Sequence, residues 1–73
     1  MAPEIVDARG RWCPEPVLLT RRALDSLTGD QLTVLVDAVA ARENVSRMAR
    51  NAGWSVMVEE IDGGYCLTLT RPS

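Results

Sequence analysis

The apolar residues of this chain are spaced in some segments as in a strand and in others as in a helix. Residues 31–37 show the strand spacing most clearly, because Leu32, Val34 and Val36 alternate with other side chains and so share one face. Three more segments alternate in the same way, and Asp62-Gly63-Gly64 between the last two is typical of a tight hairpin turn. The predicted strands are residues 4–9, 31–37, 54–61 and 65–71.

Two segments between these strands repeat their apolar residues every three or four positions, which predicts amphipathic helices over 14–27 and 40–52. Gly29 and Gly53 follow them as stop signals. On the second helix, Glu43 and Arg47 are spaced to pair on the solvent side. The predicted buried faces comprise Val17, Thr20, Ala23, Leu24 and Leu27 on the first helix, and Ala41, Val45, Met48, Ala49 and Ala52 on the second.

The resulting element order, β-α-β-α-β-β, predicts an α+β fold: a two-layer α/β sandwich with a four-stranded mixed sheet. Right-handed crossovers place both helices on one face and leave the other face open. A chain of 73 residues is expected to form a single domain over 1–73. The open face would carry Cys66 and a mixed surface able to support a weak homodimer.

The composition excludes several kinds of function. The net charge is −2, which argues against a direct nucleic-acid partner. The chain has no histidine, which removes Cys–His catalysis and most zinc sites, so we expect no metal and no cofactor. No apolar run is long enough for membrane insertion, and the N-terminal residues show no signal pattern, so a cytoplasmic location is expected.

The first predicted helix begins within the segment Cys13-Pro14-Glu15-Pro16. Proline is tolerated in the first turn of a helix, because the N–H that it lacks would have no partner there. The two prolines therefore indicate a rigid helix start with Cys13 at the cap. The unpaired N–H groups and the helix dipole would then favour a thiolate at Cys13.

Nearby charges would modulate the reactivity of Cys13. Arg9 and Arg11 would add positive potential, whereas Glu15 would oppose it, so moderate activation is expected. The alternative is a buried, unreactive cysteine that happens to precede a helix, since free cysteine is among the most buried residue types. The residues by themselves leave both interpretations open.

The chain resembles the TusA/SirA sulfur-carrier family, whose signature is Cys-Pro-x-Pro. The resemblance extends over essentially the whole chain, and residues 41–47 are similar to the TusA-like domain of YedF-type proteins. It implies a two-layer sandwich and a motif cysteine, here Cys13, that carries sulfane sulfur as a persulfide and passes it to a partner protein. The matching segments are Asp7-Ala8-Arg9-Gly10, Cys13-Pro14-Glu15-Pro16-Val17, Gly29-Asp30, the strand that ends at Asp37, and Ala41-Arg42-Glu43-Asn44-Val45-Ser46-Arg47.

Two positions depart from the family pattern. Arg11 stands where the family usually has leucine, and Ala38-Val39 stands where Asp-Pro often opens the second helix. We expect Asp37 to act as that helix cap; without a cap the helix start would be weaker by about 1 kcal/mol. Arg11 lies beside the motif, so its replacement of leucine bears on which partner is recognised.

The resulting functional hypothesis is a sulfurtransferase that acts as a carrier between a desulfurase- or rhodanese-like donor and an acceptor protein. Its site would comprise the catalytic Cys13, the helix-start residues Pro14, Glu15 and Pro16, and a docking surface. Alternatives are a protein-interaction or regulatory module without thiol chemistry and, by analogy of fold, a nucleic-acid binder. The docking residues would be Arg9, Arg11, Leu18, Arg21 and Arg22, because Leu18 projects onto the polar side of the first helix.

Overall fold

A computed structural model describes residues 4–11 and 15–72. It has the predicted order of elements, with boundaries within about two residues of those expected. The elements are β1 (Glu4–Asp7), α1 (Glu15–Ser26), β2 (Gln31–Val36), α2 (Val39–Asn51), β3 (Ser55–Ile61) and β4 (Gly64–Thr70). The sheet order is β1-β2-β4-β3; β1 and β2 run parallel and the other neighbours antiparallel, which confirms the mixed four-stranded sheet.

The core lies between the sheet and the two helices. Leu32, Val34 and Val36 are fully buried, as their alternation predicted, and the register sets Val34 opposite Leu67 of β4. Both helices pack on this side of the sheet and on each other. The expected α+β sandwich is therefore confirmed. The buried apolar residues are Ala8, Leu32, Val34, Val36, Ala41, Val45, Ala49, Trp54, Leu67 and Leu69.

The other face of the sheet is open. Ile5, Thr33, Thr68 and Met57 form a row across it, in which Ile5 is 60% and Met57 72% exposed. Cys66 lies on the same face, opposite neighbours on both adjoining strands, as the alternation predicted. A weak homodimer through this face stays a prediction.

The polar residue Thr20 occupies a fully buried position on α1. Its hydroxyl donates to the carbonyl oxygen of Pro16 at 2.8 Å, so the buried donor is satisfied. Pro16 is itself buried. The first turn of the described helix is therefore fixed both by packing and by a side-chain hydrogen bond.

The second helix differs from the prediction in three details. Its N-cap residue, Ala38, makes no side-chain cap, and Asp37 does not supply one, because its carboxylate is directed elsewhere. Glu43 accepts from Arg42 at 3.1 Å instead of pairing with Arg47. Ala52 is exposed because it forms the C-cap beyond the last packed turn.

The hairpin between β3 and β4 requires glycine at positions 63 and 64. Gly63 has φ 79°, a conformation that other residues adopt rarely. Gly64 lies so close to β2 that a Cβ there would collide with the carbonyl oxygen of Val36. This close approach places the hairpin against the end of β2, next to Asp37.

Candidate functional site

The segment that leads into the motif is fastened to the end of β2. Ala8 is buried and its N–H donates to the carbonyl oxygen of Leu35 at 2.8 Å. Gly10 has φ 78°, and its N–H donates to Oδ2 of Asp37 at 2.7 Å. The chain is therefore held at Gly10, three residues before Cys13, by a charge-assisted hydrogen bond.

The cysteine and its neighbours Trp12 and Pro14 lie outside the described residues, so the predicted helix start at Pro14 lies outside them as well. The other motif residues are described. Glu15 is exposed and is the first residue of α1 as described. Pro16 follows it in the first turn and is buried. In sequence, Cys13 stands between the fastened Gly10 and the buried Pro16.

Both arginines beside the motif are paired with carboxylates. Arg9 binds Asp7 through two side-chain hydrogen bonds, at 2.9 and 2.8 Å, and a third comes from its backbone N–H. These hydrogen bonds, led by the side-chain one, lower the pKa of Asp7 to about 2, and the same pairing raises the pKa of Arg9. Arg11 pairs with Glu15 at 3.1 Å. The positive potential expected from Arg9 and Arg11 is therefore locally compensated.

The three predicted docking residues of α1 are accessible. Leu18 is 48% exposed, and Arg21 and Arg22 are exposed beside it, as their helical positions predicted. Of these three residues, only Arg21 lines the groove described next. The docking role of Arg9, Arg11, Leu18, Arg21 and Arg22 stays a prediction.

A groove between α1 and α2 was not predicted from the sequence. It has a volume of about 690 Å³ and brings residues of both helices together with Trp54 and Arg71. The sequence gives the helical spacing of each wall but not which two walls face each other. The lining residues are Val17, Arg21, Leu24, Asp25, Asn44, Arg47, Met48, Asn51, Ala52, Trp54 and Arg71.

The remaining candidate chemistry is limited. The described residues contain no cluster of three or more histidine, cysteine or acidic side chains suited to a metal ion. Cys66 is partly buried on the open face and forms no disulfide within the described part of the chain. Among the helices described, none is long and apolar enough to cross a bilayer.

Comparisons with known proteins agree with the fold and identify the family. A family profile described as sulfurtransferase TusA matches residues 4–71. A protein of Methanocaldococcus jannaschii, whose name provisionally describes it as a sulfur carrier, is 41% identical over 61 residues, 82% of this chain and 81% of that protein. The crystal structure of a SirA-like protein from Desulfitobacterium hafniense superposes with a TM-score of 0.84 at 33% identity, covering 94% of this chain and 97% of that one.

Proposed function

Because the chain belongs to the TusA sulfurtransferase family, we propose that it is a sulfur carrier that acts through Cys13. In the first step, the Cys13 thiolate attacks the sulfane sulfur of a donor persulfide. A new S–S bond forms, the donor's S–S bond breaks, and the donor leaves as a thiolate. In the second step, a thiolate of the acceptor protein attacks the outer sulfur, and Cys13 is released unchanged.

The observation that carries this proposal is the way in which the residues flanking Cys13 are held. The Gly10–Asp37 hydrogen bond restrains the chain before it, and the buried Pro16 restrains the chain after it. Because the described segments on both sides of the motif are held, those segments lose little conformational entropy when a donor or an acceptor docks. Its position just before α1 also favours the thiolate.

The pairing of Arg9 and Arg11 with carboxylates supports moderate rather than strong activation. Strong positive potential would lower the basicity of the thiolate and with it the nucleophilicity. A carrier must both accept and release sulfur, so a thiol that titrates near ambient pH serves both steps. We propose that Leu18, Arg21 and Arg22 form the surface against which the donor and acceptor proteins dock.

The test is to load the protein with a sulfane donor, such as glutathione persulfide, and to map the added sulfur by mass spectrometry. We expect one sulfur on Cys13, none on Cys13→Ser, and normal loading of the matched variant Cys66→Ser. Transfer of the sulfur from the loaded protein to the thiolate of an acceptor protein then tests the second step. Normal loading of Cys13→Ser, or equal labelling of both thiols, would contradict the proposal. Failure of the wild type to load would contradict it and favour an interaction module without thiol chemistry.

A further inference from the structure

We propose that the groove between α1 and α2 is a binding site for a small organic anion: a carboxylate or phosphate attached to an apolar body. The proposal does not depend on Cys13. It rests on three properties of the described groove: its apolar floor, the cations around it, and the fixed position of one of those cations.

The floor of the groove is apolar. Trp54 is only 9% exposed, and Leu24 and Met48 are partly buried beside it. Val17 and Ala52 continue the apolar surface on the two helices. The groove has a volume of about 690 Å³, and six of its eleven described lining residues are polar or charged. A concave site that combines an apolar floor with convergent polar groups can take a small molecule.

Cations approach the groove from three elements. Arg21 comes from α1, Arg47 from α2 and Arg71 from the segment after β4, whereas Asp25 is the one carboxylate among the described lining residues. Within the described part of the chain, the side chains of Arg21 and Arg47 form no ion pair or hydrogen bond. Arg71 also pairs with Asp30, which does not line the groove, at 3.9 Å. Three cations therefore face two carboxylates, an excess of positive charge that is opposite to the net charge of −2 of the whole chain.

Arg71 is held in place by the fold. Its guanidinium lies over the ring of Trp54 at 4.9 Å and donates to the carbonyl oxygens of Leu27 and Gly29. These bonds use Nε and Nη2, while Nη1 makes no hydrogen bond within the residues that the structure describes. A cation that is already ordered loses little entropy on binding an anion. The apolar floor beside it would take the body of the same ligand.

The proposed site requires both a negative charge and an apolar body in its ligand. Three probes separate these two requirements. 4-Phenylbutyrate has both features, 4-phenylbutylamine has the same body with the opposite charge, and acetate has the charge alone. We expect 4-phenylbutyrate to bind about tenfold more tightly than either of the others, because both of them lose part of the contact. Binding is measured from the chemical shifts of the Trp54 side-chain N–H during NMR titration of the full chain.

Matched variants locate the site. Arg21→Gln and Arg47→Gln are each expected to weaken binding of 4-phenylbutyrate by about threefold to fivefold, as for partly exposed ion pairs. Arg22→Gln and Arg50→Gln remove the same charge from the same helices outside the groove lining and should leave the affinity unchanged. Asp25→Asn should tighten binding, because it removes a like charge from the ligand's surroundings.

The inference is overturned if the amine binds as well as the acid, if the two control variants weaken binding as much as the groove variants do, or if no probe shifts Trp54. Repeating the titration with Cys13→Ser separates this site from the proposed sulfur chemistry. The affinity for 4-phenylbutyrate should be unchanged in that variant, whatever the result of the loading experiment.

Discussion

Replacing Asp37 with alanine removes the side chain that joins the segment before the motif to the end of β2. The wild-type carboxylate accepts from the N–H of Gly10 at 2.7 Å, and no other side-chain acceptor for that N–H occurs in the described part of the chain. Asp37 also lies just before Ala38, the N-cap of α2, where a negative charge interacts favourably with the helix dipole. Asp37→Ala loses both contributions.

The expected cost follows from these two contributions. A hydrogen bond contributes about 1 kcal/mol net, and we use this typical value instead of the higher one for charged groups because the Asp37 carboxylate is exposed. The charge at the helix N-terminus contributes about 0.5 kcal/mol. The free energy of unfolding should therefore fall by about 1.5 kcal/mol, which for a domain of this size lowers Tm by about 6–12 °C. Asp37→Asn keeps an acceptor oxygen and should lose about half as much.

Chemical denaturation measures the stability, and NMR hydrogen exchange at Gly10 measures the hydrogen bond itself. Gly10 should exchange about tenfold faster in Asp37→Ala than in the wild type, because local opening is less costly. Glu60→Ala is the matched control, since Glu60 is an exposed residue of β3 whose side-chain carboxylate forms no hydrogen bond or ion pair in the described part of the chain. It should change neither property appreciably.

The rate of sulfur transfer to a partner protein gives a functional measure of the same variant. If the Gly10–Asp37 bond restrains the segment that holds Cys13, Asp37→Ala should slow transfer to a partner protein more than it slows alkylation of the thiol by iodoacetamide. The reasoning would be refuted if Asp37→Ala matched Glu60→Ala in Tm and in Gly10 exchange. It would also be refuted if Asp37→Asn were as unstable as Asp37→Ala, because the acceptor oxygen would then be irrelevant.

Two further predictions concern α1 and the segment before it. Leu18→Asp should slow sulfur transfer to a partner protein and leave alkylation of Cys13 unchanged, whereas Met57→Asp, a matched change on the open face, should slow neither; equal slowing of both reactions by Leu18→Asp would indicate local unfolding instead. The pKa of Asp7 is lowered from 3.8 to about 2, so its pairing with Arg9 stabilises the fold above about pH 4, and this contribution is lost as the pH falls toward 2. Denaturation curves between pH 2 and 5 should show a shallower loss of stability for Asp7→Asn than for the wild type; parallel curves would contradict the assignment.

The sheet could be predicted from the sequence because strand alternation is a local property. Leu32, Val34 and Val36 are assigned to one face by their spacing alone, and the turn at Gly63 follows from residue type. Thr20 was placed correctly on the buried side, but the sequence did not show how its hydroxyl is satisfied. The bond to the Pro16 carbonyl oxygen depends on the helix geometry one turn back.

Other features depend on contacts between distant segments. Asp37 was expected to cap α2, because the first N–H groups of α2 are the nearest unpaired ones along the chain. Instead its carboxylate accepts from the N–H of Gly10, 27 residues earlier. Whether a carboxylate serves the next helix or a neighbouring loop is decided by strand pairing, since β1 and β2 are adjacent and parallel. The groove could not be predicted for the same reason: Arg21 and Arg47 approach each other only when α1 packs on α2.

The distribution of arginine pairing distinguishes the segment before the motif from the groove. Arg9 and Arg11 are paired with carboxylates two and four residues away, so an approaching anion gains little from them. Arg21 and Arg47 are exposed to the groove without such partners in the described chain, so an anion gains more there. A small anion therefore gains more from the arginines of the helical groove than from the two arginines before the motif. If Cys13 carries an anionic persulfide, the paired Arg9 and Arg11 would contribute little to the binding of a small anion by the segment before the motif.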